Sequence, residues 1–266
     1  MPTISDVTTA LESIAPLRLA ADWDAVGLLV GSRRPRICRV MTCLSLTGDV
    51  AVEAVREQAD LVVTHHPLPF RPVAKITDDS PTGRVLLELL SAGIAVWSAH
   101  TAWDSAAGGI NDQLADMLGL EHVTPIQPDA LHPLAGFGRV GTAPAGWSVA
   151  HLSQHIAGRL GVKAAQVAGD VQRPAGRVGI VCGSGGDSLD AVRQAGCATF
   201  LTGELKLHQA IEARALGIAA IAVGHHASER FSMEVLARRL ADDVAGLTCW
   251  ASRDEADPLE WLASTR

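Results

Sequence analysis

Histidine and carboxylate side chains gather in three short stretches of this chain. They are Thr64-His65-His66-Pro67, Ala99-His100-Thr101-Ala102-Trp103-Asp104 and Gly224-His225-His226-Ala227-Ser228-Glu229. Neutral imidazole nitrogen and carboxylate oxygen together suit a borderline divalent metal such as zinc, iron, cobalt or manganese. They suit calcium poorly, because calcium prefers an all-oxygen shell. Each stretch follows an apolar run that reads as a strand, and open α/β sheets bind their ligands beyond the carboxyl ends of strands. Pro67 pushes His66 out of the α region, so the two adjacent rings can reach two different ions. Asp104 adds a carboxylate able to bridge or to bind end-on. His225 and Glu229 are four residues apart and share one face of a helix start. The opposing reading is a metal-free α/β protein whose histidines are structural.

Two other groups are weaker. The Gly183-Ser184-Gly185-Gly186 turn has backbone N–H groups to offer a phosphate at a helix start, but it lacks the Lys-Ser/Thr ending of a phosphate loop and reads better as a tight βα turn. Arg33, Arg34 and Arg36 read as a solvated loop.

The elements that must position these residues alternate between strand and helix. Thr3 and Asp6 form a capping pair ahead of Val7, Leu11 and Ile14, which recur at helical spacing. Strands are predicted at Ile37 to Leu44, Leu61 to Thr64, Ile94 to Ala99, Val178 to Cys182, Thr199 to Thr202, Ile218 to Val223 and Leu247 to Ala251. Helices are predicted at Asp49 to Gln58, Pro81 to Ala92, Gly109 to Leu118, Val149 to Leu160 and Ser228 to Asp242, with one more between the strands at 199–202 and 218–223. A short tail helix is predicted at Pro258 to Ala263. Such alternation implies βα units and largely parallel sheets. Three prolines within residues 121–135 mark a crossing between lobes.

Composition narrows the function classes. The 266 residues are 48% hydrophobic, enough for a large core. The net charge of −7 argues against a protein that coats nucleic acid, which needs a basic face. A small nucleotide remains compatible, because bound metals supply positive charge locally. The five cysteines include no CxxC pair; Cys43, Cys182 and Cys197 sit in apolar surroundings and read as buried free thiols, which suits the cytoplasm. No signal peptide or membrane-spanning stretch is expected.

The combination of motifs resembles the GTP cyclohydrolase 1 type 2 homologs, Nif3-like dinuclear-metal proteins. The residues that carry the resemblance are Trp23-Asp24-Ala25-Val26-Gly27-Leu28-Leu29-Val30-Gly31, the three clusters above, Gly108-Gly109-Ile110-Asn111-Asp112 and Thr202-Gly203-Glu204, with Arg230 after Glu229. The resemblance implies two divalent ions per subunit held by His65, His66, Asp104, His225 and Glu229, with Asp104 and Glu229 bridging. It implies two α/β lobes, residues 1–125 plus 225–266 and an inserted lobe of residues 126–224. It further implies a toroidal homohexamer with the metals facing an internal cavity. Two positions depart from the family pattern. Ser45 stands where an acid is usual, and His226 stands where Tyr is usual.

Two functions follow from these expectations. One is a metal-dependent hydrolase acting on a nucleotide-like substrate. In that case two ions about 3.5–4 Å apart bring a bridging water to hydroxide near neutral pH. The electrophile would be C8 of a guanine nucleotide or a phosphoryl centre. The proton shuttle would be His100 first, four residues before Asp104, with His226, Glu204 and His208 as the others. The alternative is a non-catalytic metal-storage or scaffold protein built as a ring.

Overall fold

The computed structural model describes residues 1–31 and 36–260. In chain order the elements are α1 (Ile4–Ile14), β1 (Gly27–Val30), β2 (Arg39–Ser45), α2 (Gly48–Arg56), β3 (Leu61–His66), α3 (Pro81–Ala92), β4 (Ala95–Ser98) and α4 (His100–Ser105). Next come α5 (Ile110–Met117), β5 (Glu121–Thr124), β6 (Gln127–Pro128), β7 (Gly136–Phe137), β8 (Arg139–Thr142), α6 (Val149–Leu160), β9 (Gln166–Ala168) and β10 (Arg177–Val181). The chain continues with α7 (Leu189–Gln194), β11 (Thr199–Thr202), α8 (Leu207–Ala215), β12 (Ala219–Ala222), α9 (His225–Glu229), α10 (Ser232–Asp243) and β13 (Thr248–Ala251). The architecture is mixed α/β, with mixed and parallel sheets flanked by helices.

Contacts divide the chain into two units. The first is Met1–Ala106 with Ser232–Ala256, and the second is Ala107–Phe231 with the described residues from Asp257 on. The proline-bearing stretch near residue 125 lies inside the second unit, because β5 pairs with β8 there.

The first unit is built on a five-stranded sheet in the order β1-β4-β3-β2-β13. Only β1 runs antiparallel to its neighbour; the others pair in parallel. Parallel strands buried on both faces are apolar throughout, and Leu61-Val62-Val63 shows this in β3. One sheet face packs Met41, Val62 and Val96 against Val50 of α2 and Leu86 and Leu89 of α3. The helix ends follow local rules. Thr3 and Asp6 close a capping box on α1, and Gly93, in the left-handed region at φ +68, terminates α3.

The second unit carries a six-stranded sheet in the order β5-β8-β10-β11-β12-β9 and a small β6-β7 ribbon. Its centre, β10-β11-β12, is parallel, and its flanks are antiparallel. Phe200, Val192, Ala213 and Ile218 form the core. Arg139 of β8 is fully buried and answered by Asp112 and by the carbonyls of Gly136 and Gly138.

Three sequence expectations change. Strand β3 does not stop at Thr64 but runs through His65 and His66, because the ladder to β2 continues as far as Ser45 opposite His66. The single helix expected at Ser228 to Asp242 is two, α9 and α10. Gly224, at φ +98, lets α9 begin already at His225, and the Ser232 hydroxyl that opens α10 accepts the Trp103 indole N–H at 2.9 Å. Residues 258–260 are not helical; Trp261 to Ala263 of the expected tail helix, like Arg33 and Arg34, lie outside the described residues. Cys43, Cys182 and Cys197 are buried and outside any disulfide, as expected. Among the described residues, no helix is long and apolar enough to cross a membrane.

Candidate metal site

In the first unit the end of β3 delivers two rings. His65 is 1% exposed and His66 is half-buried. Their ring centroids are 5.1 Å apart, although strand neighbours ordinarily point to opposite faces. Helix α4 adds His100 at its first position and Asp104 one turn later. The His100 ring lies 5.3 Å from that of His65 and 5.7 Å from that of His66. One ligating atom from each of these three imidazoles falls within 4.8 Å of the others. Asp104 Oδ1 lies 3.6 Å from His65 Nε2. Three imidazoles with an adjacent carboxylate make a donor set that fits a borderline divalent metal.

Each outer ring is held from behind. Asp24, its side chain fully buried, places Oδ1 2.7 Å from His100 Nδ1, while its Oδ2 accepts from the Thr101 hydroxyl at 2.5 Å and the Thr101 N–H at 3.1 Å. Burial works to raise the Asp24 pKa, but the hydrogen bonds from His100 and Thr101 outweigh it and hold the carboxyl below its usual range. His100 sits at φ +32, an unusual backbone for a residue other than glycine. Ser45 Oγ lies 2.8 Å from His66 Nδ1. The backbone that presents Ser45 is itself tied down, since the Glu255 carboxylate accepts from the N–H groups of Leu44 at 2.9 Å and Ser45 at 2.6 Å.

In the second unit, α9 brings its own pair together. His225 Nε2 lies 3.1 Å from Glu229 Oε2, and Glu229 is buried. His225 Nδ1 faces Glu204 Oε1 at 3.1 Å, and the Ser184 hydroxyl donates to Glu204 Oε2 at 2.9 Å. The bond to Glu229 pushes the His225 pKa up to about 9 against the opposing effect of burial, with the charges of Glu229 and Glu204 adding to the rise. Gly183 closes this arrangement from the side. Its φ is +58, and a Cβ there would overlap the Glu229 carboxylate and come within 3.2 Å of His225 Nε2. The Gly183 N–H donates to Ser228 Oγ at 3.0 Å, and the Ser228 hydroxyl donates to the His225 carbonyl at 2.8 Å. A Cβ at Gly186 would overlap the Gln209 side chain, and one at Gly185 would come within 2.7 Å of Thr202 Oγ1. The glycine turn is therefore packed by its own neighbours rather than open to a phosphate.

Within the first unit the structure brings His65, His66, Asp104 and His100 together, and His100 stands among the imidazoles as well as being a proton-transfer candidate. Within the second unit it brings His225, Glu229 and Glu204 together, with Glu204 behind His225. His226 is the second residue of α9 and half-buried, and His208 is exposed in the first turn of α8. Sequence reasoning did not find Asp24 as the partner of His100 or Ser45 as the partner of His66. Asp24 was visible only as part of a longer motif, and Ser45 only as a missing acid.

The chain is similar over nearly its whole length to known proteins. The family model described as Duf34/NIF3 (NGG1p interacting factor 3) matches residues 2–258. A Clostridium perfringens protein called GTP cyclohydrolase 1 type 2 homolog is 33% identical over 263 residues, 97% of this chain and 99% of its own length. A Streptomyces coelicolor protein of the same name is 37% identical, covering 99% of this chain and 95% of its own. Among solved structures, a Bacillus cereus protein related to NIF3 superposes with a TM-score of 0.91 at 20% identity, covering 98% of this chain and 99% of that one.

Proposed function

We propose, from the premise that this chain belongs to the Duf34/NIF3 family, that it is a dinuclear-metal hydrolase for a nucleotide-like substrate. His65, His66, Asp104, His225 and Glu229 would hold two divalent ions. The observation that carries the reading is the cluster of imidazoles in which His65 and His66 lie beside the Asp104 carboxylate and His100, the proton-transfer candidate, offers a nitrogen within 4.8 Å of theirs. Bound divalent ions would supply Lewis acidity and water activation near neutral pH.

The chain's own residues do the remaining work. Asp24 and Ser45 fix the outward-facing nitrogens of His100 and His66, as partners behind a metal-binding histidine commonly do. Glu204 does the same for His225. His100, with Nδ1 engaged by Asp24, would pass a proton at Nε2. The substrate class follows the names of the relatives, GTP cyclohydrolase 1 type 2 homologs. A homohexamer in the cytoplasm completes the proposal, and five cysteines outside any disulfide are consistent with a reducing compartment.

The test is direct. Protein purified and reconstituted with zinc, manganese, cobalt or iron is assayed for metal content and for turnover of GTP and a panel of phosphoesters. Two equivalents of metal with turnover of one of these substrates are expected. Two equivalents with every substrate left intact would leave a metal-storing protein. Light scattering of the same samples reads the oligomer.

A further inference from the structure

Two aromatic side chains stand exposed beside the imidazole cluster of the first unit. Trp23 is 67% exposed and Phe70 is 50% exposed, an unusual position for rings that ordinarily contribute large buried areas. The Trp23 ring meets the His100 ring edge-on at 6.0 Å, and Phe70 meets it edge-on at 6.1 Å. Trp23 and Phe70 lie 6.3 Å from each other at a 56° tilt. The three rings therefore form a triangle with His100 as the corner shared with the candidate metal ligands. The chain builds this triangle economically. Trp23 precedes Asp24, which grips His100, and Phe70 follows His66 by four residues.

We propose that Trp23 and Phe70 are a substrate-binding jaw that stacks a planar heteroaromatic ring, such as a nucleobase, beside the imidazole cluster. The jaw rests on the metal-site reading above and adds to it what recognises the substrate. Exposed aromatic faces bind flat heterocycles because every base has a π-face, and such stacking tolerates variation in the base. Arg71 and Lys75 are exposed on the segment that carries Phe70, so that segment offers positive charge to an anionic substituent. A protein partner is a poorer occupant. Two half-exposed rings offer far less than the roughly 800 Å² per side that a stable interface requires.

Binding of GTP, guanosine and inorganic tripolyphosphate to the zinc-loaded protein tests the jaw. Equilibrium dialysis gives affinity, and the emission difference between wild type and Trp23→Phe reads the ring contact. GTP is expected to bind more tightly than tripolyphosphate and guanosine to quench Trp23. Trp23→Ala and Phe70→Ala should each weaken GTP by roughly tenfold, leaving tripolyphosphate and zinc content unchanged, while Trp23→Phe retains most of the affinity. GTP binding equal in wild type and both alanine variants would overturn the jaw. So would GTP bound no more tightly than tripolyphosphate, or alanine variants that only dissociate an oligomer. Turnover on the same samples separates the two claims. Trp23-dependent GTP binding without turnover supports the jaw and removes the hydrolase. Turnover with unchanged kcat/KM in Trp23→Ala removes the jaw and keeps the hydrolase.

Discussion

Asp24 Oδ1 lies 2.7 Å from His100 Nδ1, so the imidazole must carry its proton on that nitrogen to meet an ionised carboxylate. The other nitrogen is then an acceptor, the form needed to bind a metal or take a proton. An asparagine at this position can instead donate its amide N–H to Nδ1 and drive the ring to the opposite tautomer. Asp24→Asn is therefore expected to weaken metal binding or turnover by about 10–100-fold, the usual effect of losing such a partner. Calorimetric metal titration checks the loss, and ¹⁵N shifts of the His100 ring check the tautomer. An unchanged tautomer with unchanged affinity would remove the role.

Ser45 makes the same kind of contact with His66 Nδ1, at 2.8 Å and without a charge. Ser45→Ala leaves that nitrogen without its orienting oxygen. An affinity loss of about tenfold for the first-unit ligands is expected, with the melting temperature little changed. Competition with a chromophoric chelator measures it.

Gly183 is tested by a single methyl group. With φ at +58 and the Glu229 carboxylate in the way, Gly183→Ala carries both backbone strain and a collision. Destabilisation of about 1–3 kcal/mol in urea denaturation is expected. His225 and Glu229 should also lose alignment, seen as reduced metal content in protein that remains folded.

The cysteines give a pH prediction independent of metal. Burial pushes the thiols of Cys197 and Cys249 up to about 11, and Cys249 is the more accessible of the two. Because the thiolate is the nucleophile, alkylation of Cys249 should be slow at pH 8. Its rate should rise about tenfold per pH unit until the pKa is reached. Mass spectrometry of timed iodoacetamide reactions follows it; a rate that is flat with pH would contradict the shift.

Local signals in the sequence carried much of this structure. The bounds of α3 and α6 are marked by Ser80 with Pro81 and by Ser148, and by Gly93 and Gly161 in left-handed conformation. The strands at 61–64 and 199–202 declare themselves as apolar runs. What stayed hidden depends on partners far along the chain. β1 is four residues opened by glycine, and β8 begins with a buried arginine whose partner Asp112 lies 27 residues away. His65 and His66 are strand residues because of β2, not because of their own propensity. The same holds at the site. Histidine clusters are visible as letters, whereas the Asp24–His100 pair spans 76 residues with nothing local to announce it.

Glu53 binds the turn after β13, accepting from the Ser252 hydroxyl at 2.5 Å and from the N–H groups of Arg253 and Asp254. That anchors Glu255, whose carboxylate holds the backbone of Ser45, whose hydroxyl meets His66. A lesion late in the gene, such as a premature stop after β13, would therefore reach the imidazole cluster through a relay of hydrogen bonds while leaving its histidines intact. Sequence surveys that score only the ligands would pass such an allele as functional.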